Sequence, residues 1–152
     1  MSRIADRLVE LGIELPPVFP PAGNYVGWVR SGDLLHVGGH GPVAGATIVT
    51  GKVGSTVGLD EARAAARITG LSILATMNEA LGDLDRVRRI VKVFGMVNVA
   101  PGFNDMPKVI DGCSDLLVAV FGDRGRHTRS AVGLAELPFD IAVEIELVAE
   151  VE

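Results

Sequence analysis

Between Ile141 and Val151 the chain alternates without a slip. Ile141, Val143, Ile145, Leu147, Ala149 and Val151 fall on one side, with Glu144, Glu146, Val148 and Glu150 on the other. A period of two belongs to a β-strand, whose successive side chains point to opposite faces. One face of this strand is wholly apolar and must be covered by a second layer of structure. With 152 residues the chain is long enough to supply that layer within one domain.

The remaining elements follow from spacing and punctuation. Tyr25–Val29 and Leu34–Val37 flank Ser31-Gly32-Asp33 and read as a hairpin, with a further short strand expected over Thr47–Thr50. Leu59–Leu81 reads as the main helix, with Asp60 and Glu61 in its first turn and Gly82 as its stop. Its predicted buried stripe is Ala64, Ile68, Leu71, Ala75 and Met77 or Asn78. Arg89–Val99 is a valine-rich strand, expected to place Val91, Val93, Val97 and Val99 opposite Phe94 and Met96. Asp105 and Pro107 open a second helix with Val109, Cys113, Leu116 or Leu117, and Val120 facing inward. Arg129–Leu134 is a strand taken to form a closing hairpin with 141–151. The predicted class is therefore α+β, a mixed sheet with two long helices on one face.

Ahead of this pattern Ile4, Leu8 and Leu11 recur at helical spacing and Gly12 ends the run. Pro16, Pro17, Pro20 and Pro21 then enforce an extended linker. Residues 1–22 are thus read as an N-terminal helix and proline-rich linker, and 23–152 as the domain proper. The charged N-terminus is unlike a signal peptide, apolar runs are too short to span a bilayer, and a lone cysteine suits a reducing compartment. A cytoplasmic location without membrane attachment is expected.

A net charge of −5 and a pI of about 5.2 disfavour a nucleic-acid partner. The clusters Arg86, Arg88, Arg89 and Arg124, Arg126, His127, Arg129 read first as solvated loop and helix ends, with few aromatics to stack on bases. His36 and His40, four apart on a strand, share a face but stand roughly 13 Å apart, which argues against a metal site. Cys113 reads as a small core hydrophobe. A mean hydropathy of +0.37 hints at apolar surface hidden by self-association.

Three stretches in order carry a family resemblance. Arg129-Ser130-Ala131-Val132-Gly133-Leu134-Ala135-Glu136-Leu137-Pro138, followed by Val143-Glu144-Ile145-Glu146, resembles the C-terminal signature of the RidA (YjgF) family. The hairpin from Gly23 to Val43, with Tyr25 and Gly39 in matching places, is similar to that family's first two strands. Leu81-Gly82-Asp83-Leu84, with Val87 leading into the valine strand, matches as well. The likeness spans roughly residues 23–151.

The resemblance implies a chorismate-mutase-like fold closed into a homotrimer, with ligand sites in the clefts between subunits. It assigns Arg129 to grip the carboxylate of a 2-imino or enamino acid, and Glu144, on a neighbouring strand, to help water attack the imine carbon. The products are a 2-keto acid and ammonia, with no metal or organic cofactor needed. Tyr25, Gly38, Gly39 and Ser114 complete the implied pocket. A guanidinium fork suits a carboxylate in a way that lysine does not, and a nearby carboxylate can deprotonate water.

Departures bear on activity. The deaminases usually carry serine where this chain has Gly38, asparagine near Ser114, and often glutamine at His40. Those differences, with the N-terminal extension, resemble a side branch labelled endoribonuclease L-PSP or translation-initiation inhibitor. Three functions therefore stand open: an imine deaminase, a binder of small carboxylic acids, and an endoribonuclease or translation inhibitor. Read without the motif, Arg129 is a surface ion pair, Glu144 a solvated strand residue and Tyr25 a packing residue.

Overall fold

The structure, a computed structural model, describes residues 3–152. Met1 and Ser2, at the start of the predicted N-terminal segment, lie outside the described residues. Helix α1 (Arg3–Glu10) buries Ile4 and Leu8 and ends at Gly12, whose φ of 65° is left-handed. Its first amides are tied down by Asp85, at 2.8 Å from Arg3 N and 3.0 Å from Ile4 N. The proline segment then leads to strand β1 (Trp28–Ser31), which turns at Gly32 into β2 (Leu34–His40). A small ribbon, β3 (Val43–Ala44) and β4 (Thr47–Ile48), precedes the long helix α2 (Leu59–Leu81). Strand β5 (Val87–Asn98), helix α3 (Met106–Phe121), β6 (Thr128–Leu134) and β7 (Val143–Val151) complete the chain.

The five long strands lie in the order β1-β2-β7-β5-β6. Only β5 and β6 run parallel, joined by the α3 crossover; the other pairs are antiparallel. The expected closing hairpin is therefore not formed. β7 inserts between β2 and β5, and the segment joining β6 to β7 carries the chain across β5. The alternation of the last strand holds: Val143, Ile145, Leu147, Ala149 and Val151 are buried against the helices.

Two sequence expectations hold only in part. On α2 Ala75 and Met77 of the predicted stripe are buried, together with Ala62, Ala65, Ala66, Thr69 and Ile73 among others, while Ala64 is exposed and Ile68 and Leu71 are only partly covered. From Ile68 to Met77 the helix carries no charged residue, so periodicity there could not choose a face. Close approach to α3 chose the small residues, as at Gly70, which sits against Leu116 and Cys113. On β5 the pairing slips between Val87 and Arg89 and again between Ile90 and Lys92. Val93 and Val97 are buried with Phe94 and Met96 on the other face, as expected, but around the slips Ile90 is buried and Val91 stands 36% exposed. The predicted stripe of α3 is buried as expected. No helix among the described residues is long and apolar enough to cross a membrane.

Candidate functional site

At the β6 edge, Arg129 sits opposite Val93 of β5, which sits opposite Leu147 of β7. Val93 and Leu147 are core residues, so Arg129 shares the helix-covered face. Its Nη1 donates to Asp111 Oδ1 at 2.7 Å and to Ser114 Oγ at 3.1 Å, both on α3. His127 Nδ1 lies 2.6 Å from the Gly125 carbonyl, which can only accept, so that nitrogen carries the proton. In the neutral ring Nε2 then accepts from the Ser114 hydroxyl at 2.9 Å. Burial holds the His127 pKa below its ordinary value, and the Arg129 charge adds to this against the Gly125 bond. The result is a continuous chain: Gly125 carbonyl, imidazole, hydroxyl, guanidinium, carboxylate.

Three strands away, the C-terminal end of β2 carries a second cluster. The β2–β7 register shifts between Val37 and His40, which turns His40 inward. Its Nδ1 donates to the Gly38 carbonyl at 2.7 Å and its Nε2 accepts from Thr76 Oγ1 of α2 at 2.8 Å. His36, by contrast, is exposed, so the two histidines do not share a face as the spacing suggested. Glu144 lies on the open face of the sheet, opposite Met96, with its carboxylate folded over Gly39. A Cβ at position 39 would stand 2.5 Å from Glu144 Oε1, so glycine there makes room for the carboxylate. Burial first, and then the charge of Glu146, raise the Glu144 pKa. Beside Gly39 opens a cleft of about 640 Å³, lined also by Tyr25, Trp28, His40, Thr76 and the proline segment.

Of the residues expected to form one pocket, the fold groups Tyr25, Gly38 and Gly39 on the β1–β2 side with Glu144 of the central strand β7 folded over Gly39, and holds Arg129 with Ser114 at the β6 edge. Arg129 and Glu144 are not on adjacent strands, since β5 separates them, and they point to opposite faces. Strand spacing alone sets β2 and β6 about 14 Å apart. His127 and Asp111, thirteen and three residues from Ser114, had no sequence signal beyond local charge. Nor did Thr76, read only as part of a helix. The basic clusters are largely satisfied internally: Arg86 holds the carbonyls of Leu81 and Glu152, Arg124 that of Val87, and Arg126 pairs with Asp123.

Comparison with known proteins places this arrangement in a family. Residues 5–151 match the family model described as "YjgF/chorismate mutase-like, putative endoribonuclease". The chain is 46% identical to Protein TCP17 of Trypanosoma cruzi over 98% of its length and 94% of that protein. It superposes on the crystal structure of Atu1372 from Agrobacterium tumefaciens, a protein of unknown function, with a TM-score of 0.89 and 43% identity. That match covers 97% of this chain and 91% of the other. A Shewanella oneidensis structure, described as a "putative endoribonuclease", gives a TM-score of 0.94 at 33% identity, covering 97% and 99% of the two chains. The chain belongs to the YjgF family.

Proposed function

We propose that the protein binds small carboxylic acids between copies of itself, and that it hydrolyses 2-imino or enamino acids there. The observation that carries this reading is the seat already occupied on Arg129, where a carboxylate oxygen of Asp111 lies 2.7 Å from Nη1. A ligand carboxylate replacing Asp111 would find the same fork, steadied by the Ser114 hydroxyl. The second half of the pocket, Tyr25 with Gly38 and Gly39 of β2 and Glu144 of β7, comes from another copy in a homotrimer. Glu144, its pKa raised, is the base that takes a proton from water as the oxygen attacks the imine carbon. Collapse of that adduct releases ammonia and leaves the 2-keto acid, with no cofactor involved.

Pyruvate and 2-oxobutanoate titrations by calorimetry, run beside an imine-hydrolysis assay, test both parts. Arg129→Lys keeps the charge and loses the fork, so binding should weaken at least tenfold with the assembly intact. Equal binding by wild type and variant would make the arginine structural. Glu144→Gln should keep binding and reduce turnover by about 10²–10⁴-fold. A second reading, a binder without turnover, is favoured by Gly38, which offers no side chain to a ligand. Binding that depends on Arg129, with imine loss no faster than in buffer, would select it.

A further inference from the structure

The cleft beside Gly39 has a roof that comes from the N-terminal extension. Val18, Phe19, Pro20 and Pro21 line it, and the amide of Ala22 donates to the Tyr25 hydroxyl at 3.1 Å, tying the end of the strap to the cleft wall. Prolines fix the backbone here and leave few amides needing partners. The far wall is α2. We propose that this cleft receives the side chain of the ligand, and that the ligand is a carboxylic acid bearing an apolar ring. A three- or four-carbon acid would leave it mostly empty. The inference rests on the carboxylate reading of Arg129 given above and adds the class of substrate.

Size, charge and surface chemistry support this assignment. At about 640 Å³ the cleft lies within the range of roughly 300–1,000 Å³ that holds drug-sized molecules. None of the described residues lining it is lysine or arginine, and Glu79 stands at the rim, so a carboxylate gains nothing by entering. Three of the chain's seven aromatic residues, Phe19, Tyr25 and Trp28, converge on it. Phe19 and Tyr25 are 52% and 58% exposed, leaving ring surface for a ligand to cover. The polar groups on the floor are already matched, because His40 spends one nitrogen on the Gly38 carbonyl and the other on Thr76. An apolar group entering the cleft therefore strands no hydrogen bond.

Trp28 is the sole tryptophan of the chain and lines the cleft, so its emission reports occupancy. Propanoate and 3-phenylpropanoate, and pyruvate and 3-phenylpyruvate, would be titrated into the full chain by calorimetry, with Trp28 emission followed for the propanoate pair. The phenyl acids should bind at least tenfold more tightly, 3-phenylpropanoate should shift Trp28 emission, and Phe19→Ala should erase most of the preference. Phe19 is exposed, so its replacement leaves the core intact. Equal affinities within each pair, unchanged emission at saturation, or a preference untouched in Phe19→Ala each overturn the proposal. Equal affinities that still depend on Arg129 would leave the carboxylate reading standing. Tight phenyl-acid binding that ignores Arg129→Lys would remove that reading and keep the cleft, while no binding of any acid removes both.

Discussion

Glycine at position 39 lets a carboxylate lie flat over a strand backbone, and that carboxylate, Glu144, carries a raised pKa. A folded pKa above the ordinary value near 4.5 means the fold favours the protonated form. The contribution to stability is present below the unfolded pKa and is lost as pH rises through the folded one. Glu144→Gln should therefore gain in Tm relative to wild type as pH goes from 4.5 to 7, and a constant difference would contradict the shift. Cys113 behaves differently. Burial pushes its pKa up to about 12, despite the lowering effect of Arg129. Disulfide reagents at pH 8 should modify it about a hundredfold or more slowly in the native protein than in urea. Its burial was legible from the helical spacing of Val109, Cys113 and Leu116. The partners of Arg129 were not, because Asp111 and Ser114 reach it through tertiary packing of α3 on the sheet edge.

Two histidines pin strands to helices by the same device. His40 fastens the end of β2 to α2 through Thr76, and His127 fastens the start of β6 to α3 through Ser114. Burial lowers both pKa values, each against a bond to a glycine carbonyl. Lowered values in the folded state mean that this stability is present above the unfolded histidine pKa of about 6.5 and is lost as pH falls from there. Urea unfolding should show stability declining from pH 7 towards 5, with a shallower decline in His40→Gln. The helix pair has its own weak point. A methyl at Gly112 would run into the Arg63 carbonyl of α2. Gly112→Ala should cost about 1–3 kcal/mol and lower Tm by several degrees. The long elements were readable from periodicity, although β1 begins at Trp28 and not at Tyr25, the last strand begins at Val143, and the short β3 had no signal. The slips in β2 and β5 were not, because one inserted residue changes which side chains face the core without changing composition.

For the molecule as a whole, the sheet leaves Val91, Val132 and the half-buried Phe94 and Met96 on the face away from the helices. Covering that face is the role we assign to the other copies of the trimer, and light scattering at micromolar concentration should give three times the chain mass. A monomer would end the reading of a site shared between copies. If RNA associates, it should leave as salt rises, since most of the basic side chains are already engaged. The placement of Arg129 on the edge strand β6 and of Glu144 on the opposite face, on the central strand β7, has a genetic consequence. Two defective versions of this protein, Arg129→Lys and Glu144→Gln, are each impaired alone when substrate is well below saturation, the first in binding and the second in turnover. Unfolded together and refolded as mixed trimers, they should regain activity, because some interfaces will join an intact arginine from one version to an intact glutamate from the other. Random assortment from equal amounts gives about one such interface in four, and hence about a quarter of the wild-type rate. A site contained within one chain would recover nothing.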